Sequence, residues 1–403
     1  MKKLLCFLVL ISLLATVSCK RIENYSKFNI AYAEDFEELN IENEINNGQE
    51  GFYGFTADLF SKTDGENELL APFSSYTALA MVYNGAEGRT KEEMHEALRL
   101  SQSEINKFCL AGAKSIEKIE KTEVLNANSV WIKDSYSEFV KKDYLKTLSN
   151  YYSPQVFCLP FDNKIVKRVN NWVYNNTDGE IDKLLNKKPN DRSRMLIVNA
   201  TSISGKWSDE VKKTFKNTFK NLSGEASNAE YIKGSSALYK TESAYAVRRY
   251  LKGGAFFTAI MPNGNYEDYK NAFSGEEISS ILTQIDPRGS TYELPMFEKE
   301  FEFSLEEPLK KMGMTDAFSE ITADFSGMTE SAEGLYISSA EQKTKISLNK
   351  NGLKAAAAIK IDMGAKSAAP VEEPLHLVFD KPFIYMVCTP LGLPMFIGCV
   401  ENL

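Results

Sequence analysis

Strand-length, β-rich segments crowd the later part of this chain, and helix-period segments crowd the part before it. Residues 195–203, 245–251, 256–261, 335–348, 376–387 and 395–400 are rich in β-branched and aromatic residues, most of them bounded by Gly or Pro. Ahead of them, Thr90 and Glu93 have the spacing of a capping box, with Met94, Ala97 and Leu98 as the buried stripe. Ile165, Val169, Trp172 and Val173 recur at helical spacing until Asp178-Gly179 breaks the run. No Pro/Gly/Ser linker or internal repeat divides the chain after residue 46, so this order predicts one α+β domain over residues 47–403 with substantial antiparallel sheet. At 403 residues, 43% of them hydrophobic, the chain can bury a sizeable core.

The first residues read as an export signal. Lys2 and Lys3 precede an apolar run over residues 4–17, too short to span a bilayer, and Ser18-Cys19 follows. The ending Thr16-Val17-Ser18-Cys19 resembles the bacterial lipobox, whose cysteine is acylated and becomes the mature N-terminus; an ordinary cleaved signal is the alternative. On the first reading residues 1–18 are a signal peptide, Cys19 carries lipid, and residues 19–46, with their acidic cluster, space the membrane from the body. The protein is then anchored to a bacterial membrane facing periplasm or exterior, and is otherwise secreted. Cys109, Cys158, Cys388 and Cys399 remain. Thr389-Pro390-Leu391-Gly392 would turn the chain between the last two, which we expect to be buried free thiols.

Composition and motifs exclude several functions. A formal charge of −8 opposes affinity for nucleic acid. Only two histidines are present, and no C-x-x-C, so no metal or cofactor is expected. His95 lies in a charged helix and His376 opens an apolar strand. There is no G-x-S-x-G, H-E-x-x-H, phosphate loop or G-x-G-x-x-G, and no enzyme activity is expected. Lys212, Lys213, Lys216 and Lys220, interleaved with Phe215 and Phe219, read as a solvated face over two buried rings rather than a site for an anionic polymer.

Residues 353–366 read LKAAAAIKIDMGAK. Four alanines favour a helix. The parity favours a strand: Leu353, Ala355, Ala357, Ile359, Ile361 and Met363 share one apolar face, while Lys354, Ala356, Ala358, Lys360 and Asp362 share the other. Periodicity alone leaves a helix and a covered strand open.

From about residue 47 to 403 the chain resembles the serpins, the serine protease inhibitors that trap their targets by a conformational change. The resemblance is carried by residues 71–81 (APFSSYTALAM) with Gly85-Ala86-Glu87-Gly88-Arg89-Thr90, similar to the family's second helix and the turn after it. Asn126-Ala127-Asn128-Ser129-Val130-Trp131 is similar to the opening of the third strand in the main-sheet region, and Asn170-Asn171-Trp172-Val173 to the helix across that sheet. Val198-Asn199-Ala200 with Gly205-Lys206-Trp207 is similar to the central strand and the tryptophan at its top. Leu294-Pro295-Met296-Phe297, Phe379-Asp380-Lys381-Pro382-Phe383 and Pro394-Met395-Phe396-Ile397-Gly398 complete it.

The resemblance implies a helical bundle on large mixed and antiparallel sheets with an exposed reactive-centre loop, about residues 352–378. It implies a hinge at Gly352 and Leu353, and an inserting stretch over Ala355, Ala356, Ala357, Ala358 and Ile359. It places the reactive bond at Lys366-Ser367, and a sheet-opening cluster at Ser74, Asn199, Trp207 and Gln342. Lysine before the cleaved bond implies a trypsin-like serine protease as partner, inhibited by a monomer through suicide-substrate trapping; cleavage after Ala365 or Met363 would suit other serine proteases. The chain departs from the family at Lys350, usually acidic, at Leu353, usually Thr or Ser, and at Ile359, usually Thr. It also departs at Ala71, commonly Ser, and at Gln342, commonly His. Leu353 is large enough to slow the first step of insertion. Two rivals follow: a non-inhibitory member that is merely cut, supported by Lys350 and Leu353, and a substrate-binding lipoprotein, supported by Cys19 alone.

Overall fold

A computed structural model describes residues 39–331, 334–353 and 373–403. Among these, the helices are α1 (Ile41–Lys62), α2 (Pro72–Tyr83), α3 (Gly88–Leu98), α4 (Gln102–Glu117), α5 (Lys142–Tyr152), α6 (Ile165–Asn176), α7 (Tyr266–Asn271), α8 (Gly275–Thr283) and α9 (Glu306–Lys311). The early strands are β1 (Leu69–Leu70), β2 (Thr122–Lys133), β3 (Gln155–Leu159), β4 (Met195–Lys206), β5 (Thr214–Lys220), β6 (Ala226–Lys240), β7 (Ala244–Tyr250) and β8 (Phe256–Pro262). They are followed by β9 (Ile285–Pro295), β10 (Phe297–Ser304), β11 (Glu341–Asn349), β12 (Gly352–Leu353), β13 (Leu375–Val378), β14 (Phe383–Cys388) and β15 (Pro394–Val400).

Two sheets organise the fold. The larger runs β1-β15-β14-β8-β7-β6-β9-β13 with β5 on β6; the smaller, six-stranded, runs β10-β11-β12-β4-β2-β3. The apolar strands β8, β14 and β15 are buried along their whole length, which their near-continuous hydrophobic sequences require. Strand β4 alternates instead. Met195, Ile197 and Ile203 pack into the main core, whereas Leu196, Val198 and Ala200 join a second cluster with Trp131, Phe157, Val169 and Trp172 under α6. Helix α6 therefore covers one face of the six-stranded sheet, and the aromatic contact of Trp131 with Phe157, centroids 4.3 Å apart, lies beneath it.

Several expectations change. Helix α1 begins at Ile41, with Asn40 Oδ1 accepting from the Asn43 N–H and Ile45 buried, so the segment taken as spacer reaches into the domain's first helix. Thr90 is no cap. Helix α3 starts earlier, at Gly88; Thr90 Oγ1 accepts instead from the Asp324 N–H, and Glu93 accepts from the Thr315 and Asp316 N–H groups. The long strand β2 lies in the supposedly helical part, and Asn126–Trp131 sits mid-strand rather than at an opening. Within residues 335–348 the strand begins only at Glu341, and residues 376–387 contain two strands separated where Pro382 interrupts. Cys388 and Cys399 lie free and buried on adjacent antiparallel strands, out of register, with Ile384 opposite Cys399; Cys109 and Cys158 are also free. In β5 Phe219 is buried but Phe215 is only half-buried, and Lys212, Lys213, Lys216 and Lys220 face solvent. His376 sits on the edge strand β13, its Nδ1 2.9 Å from Thr291 Oγ1.

One buried acid will shape stability against pH. Glu68 has no exposed surface, and burial lifts its carboxyl from 4.5 to about 7 despite the Lys270 ammonium 3.1 Å away; Glu401 and Asp64 push the same way as burial. A raised carboxyl binds its proton more tightly in the folded chain than in the unfolded one. Stability contributed by protonated Glu68 is therefore full below about pH 4.5 and is lost as pH rises through about 7, a change of up to about 3 kcal/mol. Denaturant midpoints measured across this window should fall with pH in the native protein and fall less in Glu68→Gln.

Candidate functional site: a hinge seated above a slot

Strands β4 and β11 run parallel on either side of β12, which is only two residues long. Gly352 pairs with Asn349 and Lys206, and Leu353 pairs with Leu348 and Gly205. Gly352 has φ +153°, and a Cβ there would stand 2.1 Å from the Gly205 carbonyl oxygen, so both conformation and space demand glycine. Leu353 is already buried, 1% exposed, within the main core. Its large side chain fits there, in the pair that it forms with Leu348 and Gly205. Lys350 is exposed in the turn leading to β12.

Trp207 closes the top of the slot. Its Nε1 donates to the Asn349 carbonyl at 2.8 Å and its backbone N–H to Asn351 at 3.2 Å, tying the end of β4 to the hinge turn. The guanidinium of Arg249, 5.1 Å from the Trp207 ring, donates to Asp209 Oδ2 and holds that corner.

Below β12 the two neighbours separate around a cavity of about 1080 Å³, lined by β4, by residues 334–343 and by α2. Its inner wall is polar. Ser74 Oγ donates to Asn199 Oδ1, and Asn199 Nδ2 donates to Asn128 Oδ1 at 2.5 Å and to Asn126 Oδ1 at 3.2 Å. Across the gap Gln342 Oε1 accepts from the Ala71 N–H at 2.9 Å, while its Nε2 donates to the Ala71 carbonyl at 3.2 Å and to Ser75 Oγ at 2.7 Å. The two unusual residues Ala71 and Gln342 thus meet. An amide reaches the backbone of Ala71 on both its donor and acceptor sides, so no hydroxyl is needed at position 71. Sequence reasoning picked out Ser74, Asn199, Trp207 and Gln342 but missed Ser75, Asn126 and Asn128; the Asn-x-Asn spacing on β2, which puts both amides on one face, was the available signal for the last two. Ala355, Ala356, Ala357, Ala358, Ile359, Lys366, Ser367 and Cys19 lie outside the described residues.

A family model described as Serpin (serine protease inhibitor) matches residues 53–403. The chain belongs to the serpin family. Members are generally protease inhibitors rather than enzymes, and they target serine proteases. An uncharacterized serpin-like protein of Thermococcus kodakarensis is 27% identical over 367 residues, covering 86% of this chain and 84% of that protein. Human glia-derived nexin is 26% identical over 365 residues, covering 84% and 88%. Among solved structures, the thermophilic serpin tengpin in its native state superposes with TM-score 0.78 at 30% identity, covering 94% of this chain and 97% of that one; its latent state gives 0.75 at 29%, covering 92% and 99%. The serpin fold expected from the sequence motifs is the observed one.

Proposed function

We propose that this serpin inhibits trypsin-like serine proteases by suicide-substrate trapping, with Lys366-Ser367 as the reactive bond. The observation that carries the reading is the seated pair Gly352–Leu353 above an open slot. Continuing the β12 register moves one residue back along both neighbours at each step. Ala355 would then lie between Ile346 and Ile203, Ala357 between Thr344 and Thr201, and Ile359 between Gln342 and Asn199. Ile346, Thr344 and Gln342 are buried, so the odd-numbered residues would face the core, the same apolar set that parity picks out in the sequence.

The chemistry belongs to the protease. Its serine oxygen attacks the Lys366 carbonyl as its histidine takes the hydroxyl proton. The bond to the Ser367 nitrogen then breaks, the histidine returns the proton to the departing amine, and an acyl-ester remains. Residues after Leu353 then fill the slot and carry the protease with them before water cleaves the ester. We place the serpin domain after a signal over residues 1–18 and a Cys19 lipid anchor, as an exported monomer. Acyl-group analysis of the mature N-terminus tests the anchor.

Incubation with trypsin followed by denaturing electrophoresis tests trapping. A protease–serpin complex stable to SDS is expected, and it should disappear in Lys366→Glu. Cleaved chain alone would instead favour a second reading, a non-inhibitory member that is only cut. That reading draws on one observation: Ile359, an apolar side chain, would have to seat between two polar ones, Gln342 and Asn199.

A further inference from the structure

Four Asn-Gly pairs occur in the chain: Asn47-Gly48, Asn84-Gly85, Asn263-Gly264 and Asn351-Gly352. Such a pair can react with itself, because a glycine has no side chain to keep its nitrogen from the Cγ of the asparagine before it. The fold treats the four differently. Asn84 is locked: its Nδ2 donates to the Ala80 carbonyl at 2.8 Å and to Asn106 Oδ1 at 2.7 Å, and its Oδ1 accepts from Asn106 Nδ2 at 2.9 Å. Asn47 lies inside α1, where Gly48 is buried against Phe108 and the helical ladder engages its N–H. Asn263 Nδ2 donates to the Glu242 carbonyl at 3.3 Å, which turns the amide away from Gly264. Asn351 is exposed in the two-residue turn between β11 and β12. Its backbone is tied, the N–H donating to Asn349 Oδ1 at 2.9 Å and the carbonyl accepting from the Trp207 N–H at 3.2 Å. Its side-chain amide has no hydrogen-bond partner among the described residues.

We propose that Asn351 is a self-modification site, converted to isoaspartate or aspartate through a succinimide closed by Gly352. The Gly352 nitrogen, its proton lost to solvent, bonds to Asn351 Cγ, and the side-chain nitrogen takes up a proton and leaves as ammonia. Water then opens the ring. Addition at Cγ gives aspartate; addition at the main-chain carbonyl carbon breaks its bond to the Gly352 nitrogen and gives isoaspartate. Closure requires Gly352 to leave its pairs with Asn349 and Lys206. Strand β12 is only two residues long, so that opening is local and far cheaper than unfolding. Each excursion of the hinge out of its seat is then an opportunity for the ring to close. In isoaspartate the carbonyl that accepts from Trp207 becomes a free carboxylate, and the main chain to Gly352 gains a methylene. A molecule so modified carries a new charge beside Lys350 and a longer backbone where Gly352 packs too closely against Gly205 to admit even a Cβ.

Ageing the intact protein at neutral and at mildly alkaline pH, without protease, tests this by isoaspartyl methyltransferase labelling and peptide mass spectrometry. Isoaspartate is expected at Asn351 ahead of Asn47, Asn84 and Asn263, and sooner at alkaline pH, because the attacking nitrogen must lose its proton. In protein unfolded with guanidinium chloride this order should vanish, since the fold sets it. Asn351→Gln, whose longer side chain must close a larger ring, should lower labelling at this position at least about tenfold, a barrier higher by about 1.4 kcal/mol. Failure of isoaspartate to appear at Asn351, its earlier appearance at any of the other three in the folded protein, or equal labelling in Asn351→Gln overturns the proposal. The reaction needs no protease, so failure here is distinct from failure of the inhibitory reading.

Discussion

Ala357→Glu will convert the serpin from inhibitor to substrate, while Ala356→Glu will leave trapping intact. The β12 register places position 357 between Thr344 and Thr201, where Thr344 is 3% exposed. A carboxylate driven there would lose its water with no cation beside it, an effective penalty of several kcal/mol. Insertion would stall at that point, and the acyl-ester would be hydrolysed. Position 356 falls on the opposite face, between Lys345 and Ser202, where Lys345 is exposed and already pairs with Glu298 at 2.9 Å. A glutamate there keeps its hydration. The ratio of SDS-stable complex to cleaved chain after reaction with trypsin should fall more than about tenfold for the first variant, since a penalty above about 1.4 kcal/mol suffices, and little for the second. Equal behaviour of the two would show that the segment does not follow this register.

Cleavage near residue 366 will raise the melting temperature by about 10–20 °C. Leu353 adds nothing to this rise, because it is already buried in the intact protein. Ile359, Ile361 and Met363 remain, contributing about 1.5–3 kcal/mol each on burial, or about 4.5–9 kcal/mol together. New ladder hydrogen bonds add about 0.5–1.5 kcal/mol each. For a domain of this size each kcal/mol moves the midpoint by about 2 °C. Calorimetry of intact and nicked protein makes the comparison, and coincident midpoints would remove the energetic basis of trapping. The intact form is then the less stable of two arrangements, held by a barrier rather than by depth.

Much of this was legible in the sequence because the informative patterns are short and local. The alternation over residues 353–363 needs only parity; of that set the structure describes Leu353, which is buried as its place in the pattern requires. Other features depend on partners distant in the chain. Thr90 has the spacing of a cap, but the N–H it satisfies belongs to Asp324, and nothing near Thr90 announces that. Leu353 reads as an obstacle when only the usual side chain at that position is considered. Its burial depends on the pairing of β12 with Leu348 and Gly205 and on the turn that Trp207 ties to Asn349 and Asn351. Ala71 and Gln342, separate oddities along the chain, become one bonded pair only in three dimensions.

The seated hinge bears on how the protein ages. Under the proposed insertion mechanism, a strand whose first two residues are already paired has its closure cost behind it, so uncut molecules would pass to a self-inserted state without meeting a protease. What sets the shelf life is then the next obstacle down the slot, the amide grip of Gln342 on Ala71, rather than the initial threading.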